Sequence, residues 1–380
     1  MKILMGLDYY LPNYSGLTLY AAALAEGLAA RGHQVAVLTH RHRPELPAES
    51  EENGVRVLRA SVVARFGKAL VSPSLLARAV AEVPRSDVLH LHAPLVPAVP
   101  LASLAATARV PTVVTFHCDL QPPPSVGQAA VEIVARASQD FALDRANRIV
   151  TNTEDYARHT RPLSDRIEKV TWILPLVDET APSKSPPEEV RQRFGIGPGP
   201  VLFFLGRFAA EKGIPSLIAA FSLIRRRHPR ATLVLGGTKD VAGETVFRDI
   251  EPVLADPASG VVATGTVSAQ TRADLFAVAD VLVLPSTNAT ESFGLVQVEA
   301  MLAGVPAVAS DLPGVREPVR MTGMGEIARV GDAADLAQKI LAVLADPGRY
   351  RRPRAEVRAL FSREKTLAAY EDVYRSAAGG

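Results

Sequence analysis

The feature that most constrains the fold is an alternation that runs along the chain and then starts again. Short apolar runs, "KILMGL", "QVAVLT", "VLHLH", "TVVTFH" and "RIVTNT", are separated by helical patterns such as "GLTLYAAALAEGLAARG". Continuous apolar runs suit parallel strands covered on both faces, and the helical spacers supply the crossovers between them. From Pro200 the pattern restarts with "VLFFLG", "ATLVLGG", "GVVATG", "DVLVLPS" and "PAVASD". The expected architecture is α/β: two doubly wound, Rossmann-like domains facing a cleft, with ligands at the carboxyl ends of the strands.

Domain boundaries follow from composition. Between the two patterns lies "DETAPSKSPPEEVRQRFGIGPGP", rich in Pro, Ser and charge, which reads as a linker. We therefore expect a first domain over 1–180, a linker over 181–199, a second domain over 200–360, and a C-terminal helix over 361–380 that returns to the first domain. A chain of 380 residues has the length for such a pair. The net charge of +2 gives no argument for nucleic acid as a partner. The single cysteine, Cys118, excludes an internal disulfide and fits a reducing compartment. "MKILMGLDYYLP" is too soon punctuated for a signal peptide, and "APLVPAVPLASLAATARVP" carries four prolines and an arginine, against a membrane span. A cytoplasmic protein is expected.

Chemistry enters with "TESFGLVQVEAMLAGVPAVASD", Thr290 to Asp311. Leu295, Val298 and Leu302 recur at helical spacing, and Gly304 with Pro306 stops the helix. Glu299 falls one turn past Leu295, near the buried face, and Glu291 stands before the helix. The N-terminus of such a helix, with the amides of Ser292, Phe293, Gly294 and Leu295, favours a phosphate. Carboxylates on either side suit the hydroxyls of a ligand with an anion at its middle, the layout of a sugar nucleotide. The competing reading makes Glu291 a capping carboxylate and Glu299 a satisfied core-edge residue. In "FLGRFAAEKG", Arg207 and Lys212 flank a strand-to-helix turn, where two cations neutralise a diphosphate or are merely solvated. In "YLPNYSGLTLY", Gly16 ends the loop after the first strand and opens a helix.

Together these pieces resemble glycosyltransferase family four, the retaining enzymes of the GT-B fold. Two glutamates with seven residues between them are Glu291 and Glu299 here, and the family's diphosphate motif matches Gly206, Arg207, Lys212 and Gly213. "GTVSAQTRADLFAVADVLVLPS" and "ARGHQVAVLT" are similar to further family segments. The family's Gly-Gly of the first loop is Ser15-Gly16 here, and its Pro-Asn-Gly-Val near the domain junction is replaced by "LPLVDE" from Leu174. The resemblance implies transfer of a sugar from a nucleoside-diphosphate donor, with retained configuration and no metal or other cofactor. It implies donor contacts from Gly16, Arg207, Lys212, Glu291, Glu299 and residues 292–295. His117, in "VVTFHCDLQPPP", resembles a histidine at the family's reaction centre that hydrogen-bonds the donor sugar or orients the acceptor hydroxyl. The competing reading is a strand-end histidine held by backbone. Cys118 follows at once, but neighbouring strand residues face opposite ways, so a Cys–His nucleophile is not expected. His90 and His92 share a strand face, and with no further ligand at metal spacing they read as packing.

The acceptor is less constrained: a hydroxyl that is lipid-linked, on a cyclitol, or on a glycan. From Val55 to Ala81 there is no acid, while Arg56, Arg59, Arg65, Lys68 and Arg78 are basic. "ASVVARFGKALVSPSLLARAV" alternates apolar and basic positions, as a peripheral anionic-membrane contact does and as a solvated basic face does. The same stretch resembles the corresponding part of the phosphatidylinositol mannosyltransferases of the family. Two other functions fit the fold: a sugar-nucleotide epimerase, and a non-catalytic sugar-nucleotide-binding protein.

Overall fold

The computed structural model describes residues 1–66, 69–120, 126–177, 181–238 and 245–379. The chain divides into two compact units, Met1–Leu176 with Ser362–Gly380, and Val177–Phe361.

The first unit contains β1 (Lys2–Gly6), β2 (Gln34–Arg41), β3 (Glu49–Glu52), β4 (Val55–Ser61), β5 (Ala64–Phe66), β6 (Ala69–Val71), β7 (Val88–Ala93), β8 (Thr112–Phe116), β9 (Arg148–Thr151) and β10 (Val170–Trp172). Its main sheet runs β10-β9-β8-β7-β1-β2-β4-β3, while β5 and β6 pair separately. All neighbours in the main sheet are parallel except β3 and β4. Strand side chains alternate between faces: Ile3, Met5, Val35 and Val37 enter one core, Leu4, Leu38 and Leu89 the other. The helix Arg363–Ala378 belongs to this unit, and its Leu367, Tyr370, Val373 and Tyr374 share the core of Ile3 and Met5. Glu371 on that helix accepts two bonds from the Arg31 guanidinium, at 2.8 and 2.9 Å.

One expectation fails here. Residues 55–61, read as part of a surface-facing basic segment, form the buried strand β4 between β2 and β3. Period two puts Arg59 on the face of Val55 and Val57, inside the core. Its side chain is 1% accessible and donates to Ser50 Oγ (2.7 Å), Leu11 O (3.1 Å) and Glu52 Oε1 (2.6 Å). A buried arginine with these partners does not reach a membrane. Arg56 is held by Glu49 and Glu82 at 2.6 and 3.0 Å. Lys68 lies outside the described residues.

The second unit contains β11 (Val201–Leu205), β12 (Thr232–Gly236), β13 (Val261–Gly265), β14 (Val281–Leu284), β15 (Ala307–Ser310) and β16 (Gly325–Ala328). The order is β13-β12-β11-β14-β15-β16, all parallel. Counted within the unit this is 3-2-1-4-5-6, and the winding reverses between β11 and β14, where such sheets open a crevice for ligands. The stretch read as a linker is built into this unit. It carries the helix Pro187–Phe194, and Ser183 and Arg193 both bond the buried carboxylate of Asp274, at 2.6 and 2.9 Å. Among the described residues no helix is long and apolar enough to cross a membrane.

Candidate functional site

The loops at the β11–β14 reversal hold Arg207, Lys212 and Glu291, three of the residues singled out from the sequence. Past β11 come Gly206 and Arg207, then a 3-10 turn over Ala210–Lys212, then the helix Ile214–Arg225. Gly213 closes the turn at φ +65°, and a Cβ there would lie 2.0 Å from Pro285 O. Only glycine admits both that conformation and that approach. Beyond Pro285, Thr287 N–H donates to Glu211 O at 2.8 Å, so the loop after β14 is pinned to the loop after β11.

Glu291 lies four residues before the helix Leu295–Leu302, and Glu299 lies within it. Gly294 caps this helix at φ +76°, and a Cβ on it would meet Leu284 Cδ2 at 2.3 Å. The glycine is therefore demanded by the packing behind it as well as by its conformation. Gln297, fully buried, donates from Nε2 to Phe293 O (3.0 Å) and Val315 O (2.9 Å) and fixes the entry to the helix. Sequence reasoning passed over Gln297; its signal was a polar residue on the apolar side, next to Val298. Ser292 and Phe293 are buried.

The structure pairs the charged residues in a definite way. Lys212 Nζ forms an ion pair with Glu291, 79 positions away, and both side chains are largely buried. Arg207 is half exposed and bonds Glu211 at 2.8 Å. Glu299 is held by Arg272 at 3.0 Å, from the helix Ala269–Val278 that follows β13. Arg207, Lys212 and Glu291 thus come from the adjoining loops. Glu299 comes from the helix that the β14 loop feeds. Glu211 and Arg272 escaped the sequence reading, since each looks like ordinary helix-surface charge until its partner is known. Chemically, the arrangement offers cations and a helix N-terminus for an anion, and carboxylates for hydroxyls.

In the first unit, Gly16 is the first residue of the helix Gly16–Ala30, and a Cβ on it would meet nothing within 4 Å. Ser15, standing where the family has glycine, is the cap. Its Oγ accepts from Thr18 N–H at 3.2 Å, and its own N–H donates to Thr18 Oγ1 at 2.8 Å. His117 follows β8 and does not stand free. Its N–H donates to Ala93 O (3.0 Å), Nε2 lies 2.9 Å from His92 Nδ1, and Tyr20 packs edge-on at 4.9 Å. His90 bonds Thr115 Oγ1 (2.7 Å) and the Tyr374 hydroxyl (2.9 Å). Burial pushes His90 and His117 down to about 3 and His92 well below the usual imidazole range. These rings are neutral at pH 7, and His117 is a weak base. Among the described residues no three His, Cys, Asp or Glu side chains are grouped to hold a metal.

Asp8 was also missed. It follows β1 at the reversal of the first sheet, between β1 and β7, and accepts from Val96 N–H at 3.1 Å. Its Oδ1 is buried without a hydrogen-bond partner among the described residues, 3.5 Å from His40 Nδ1.

Residues 187–359 match the family described as glycosyl transferases group 1, and residues 15–173 match the glycosyl transferase 4-like domain. A glycogen synthase of Mycobacterium tuberculosis is 29% identical, over 100% of this chain and 96% of that protein. A phosphatidyl-myo-inositol mannosyltransferase of Propionibacterium freudenreichii is 27% identical, over 91% and 87%. Anabaena HepE, solved in complex with UDP and glucose, superposes with TM-score 0.78 and 22% identity, over 99% of this chain and 100% of that one. The fold is GT-B. The chain belongs to the retaining glycosyltransferases of family four. Glycosyl transfer is its activity, and neither the epimerase nor the non-catalytic reading is supported.

Proposed function

We propose that the second unit binds a nucleoside-diphosphate sugar across the β11–β14 reversal and that the chain transfers the sugar to a hydroxyl acceptor. Arg207 and Lys212 neutralise the diphosphate, with the helix N-terminus at 292–295 beneath it. Glu299 takes the ribose hydroxyls, and Glu291 the transferred sugar. In the first unit, Gly16 leaves room for the donor phosphate, and His117 hydrogen-bonds the donor sugar or orients the acceptor hydroxyl. The bond from the anomeric carbon to the leaving phosphate oxygen breaks, and the acceptor oxygen bonds to the same face. The acceptor's proton passes to the departing phosphate, whose charge the two cations offset without a metal ion. The observation that carries this reading is the pinning of the Arg207–Lys212 turn to the Glu291 loop, through Thr287 and through the Lys212–Glu291 pair. A panel of nucleotide sugars screened by thermal shift, then assayed for nucleotide release with hydroxyl acceptors and for product stereochemistry, tests it. A product with inverted configuration, or no donor bound, defeats it.

A lipid-linked acceptor at the membrane face is a second reading, favoured by one observation. Val63 and Val71, bonded across the β5–β6 pair, are exposed, and so are Leu76 and Val80, one turn apart on the helix Pro73–Glu82. Exposed apolar side chains beside Arg65 suit peripheral contact with anionic lipid.

A further inference from the structure

Building on the role assigned to His117, we propose that His92 is a positioning residue: its Nδ1–H donates to His117 Nε2 and so holds His117 in the tautomer that offers Nδ1–H to substrate. The two residues stand on neighbouring parallel strands. His92 pairs in register with Thr115, and His117 follows two residues later on the same face. The rings stack at 16° with centroids 5.2 Å apart, and Nδ1 of His92 lies 2.9 Å from Nε2 of His117.

A single hydrogen occupies that bond, so the two tautomers are coupled. If His117 donated, His92 would carry its hydrogen on Nε2, which is buried without a hydrogen-bond partner among the described residues. Orphaned buried N–H groups are rarer than under-satisfied acceptors. The opposite arrangement leaves only a lone pair on His92 Nε2. His117 Nε2 is then the acceptor, and its hydrogen sits on Nδ1. Burial keeps both rings neutral, which makes the tautomer the relevant variable.

The support around His92 is rigid. His90 packs against it at 4.3 Å and is itself bonded to Thr115 and Tyr374. Tyr20, edge-on to His117, bonds the Tyr370 hydroxyl at 2.6 Å. Two tyrosines of the C-terminal helix thus brace the histidine pair from behind.

The test uses full-length protein labelled with 15N-histidine, with ring tautomers read from long-range 1H–15N spectra and His117 assigned by His117→Gln. Both His92 and His117 should carry hydrogen on Nδ1. His92→Asn keeps an amide donor near the Nδ1 position and should retain both the His117 tautomer and most of kcat. His92→Leu should shift His117 toward Nε2–H and lower kcat about tenfold, with unchanged affinity for nucleoside diphosphate. Hydrogen on Nε2 of His117 in the wild type overturns the inference, as does an unchanged tautomer in His92→Leu. If the leucine variant does not fold, the wild-type spectrum and His92→Asn decide. Should the tautomers be as stated while no donor supports transfer, the assigned role of His117 fails and the His92–His117 relation stands.

Discussion

Lys212 and Glu291 form an ion pair across the two loops that border the β11–β14 reversal. One was singled out as a diphosphate cation and the other as a sugar carboxylate. Their pairing places both ends of that chemistry within one side chain's reach. It also holds the ammonium and the carboxylate in fixed positions before any ligand arrives, which is what preorganised charge stabilisation requires. Arg207 is placed differently. It is half exposed and, among the described residues, bonds Glu211 in the turn that follows it.

Removing the cations should therefore have unequal structural but similar catalytic cost. Lys212→Ala and Arg207→Ala should each lower kcat about a hundredfold, the scale for losing one preorganised charge contact. Lys212→Ala also leaves Glu291 without its cation and should lower Tm, whereas Arg207→Ala should leave Tm near the wild-type value. Near-normal turnover in both variants, by nucleotide-release assay, rules out their assignment to the diphosphate.

The two glutamates should separate by ligand. Glu299→Gln should weaken nucleoside diphosphate and intact donor together, measured by calorimetry. Glu291→Gln should spare nucleoside diphosphate and cut transfer. Arg272 adds a check, because it pairs with Glu299 at 3.0 Å. Arg272→Met should weaken nucleoside diphosphate about as much as Glu299→Gln does. Equal losses of nucleoside diphosphate affinity from Glu291→Gln and Glu299→Gln refute the division.

Much of this was legible because the informative signals were local. Apolar runs marked the parallel strands of both sheets. Arg207 and Lys212 were placed on a strand-to-helix turn, where the structure has them, between β11 and the helix Ile214–Arg225. What escaped was set by long-range pairing. Arg59 reads as surface charge until β4 is placed between β2 and β3, where Ser50, Glu52 and the Leu11 carbonyl compensate its burial. β16 carries a glutamate, Glu326, in a run of four residues, too short and too polar to stand out. Glu326 is accommodated by Lys339 at 3.0 Å and the Tyr350 hydroxyl at 2.7 Å, both beyond any local window. Likewise His90, His92 and His117 showed strand spacing, but the tyrosines that complete their surroundings lie over 250 residues further on.

The membrane reading now rests on apolar side chains rather than on Arg59. Val63 and Val80 are 68% and 61% exposed. Wild type should co-sediment with anionic vesicles at low salt and less at moderate salt. Leu76→Gln with Val80→Gln should reduce that binding at least tenfold, and Arg65→Gln about fivefold, from about 1 kcal/mol per charge. If wild type ignores the vesicles at low salt, a soluble cyclitol or glycan acceptor takes precedence.

Asp8 gives a pH signature at the reversal of the first sheet. Burial pushes its carboxyl up to about 7, against the Val96 hydrogen bond, which pulls the other way. An unfolded aspartate titrates near about 3.9, so between those values the native chain keeps a proton that the unfolded chain has released. Asp8's contribution to stability is therefore fully present below about pH 4 and is lost as pH rises through about 7. His40, His90, His92 and His117 act oppositely: burial holds them down, so their contribution is present above about pH 6.5 and lost as pH falls. A single melting curve mixes the two effects, and a difference between variants separates them. Asp8→Asn cannot titrate and keeps an oxygen for Val96 N–H, while the histidines remain. The Tm of Asp8→Asn minus that of wild type should rise by several degrees between about pH 4 and 8 and then level off. A difference that stays flat across that range shows that Asp8 ionises like an exposed aspartate.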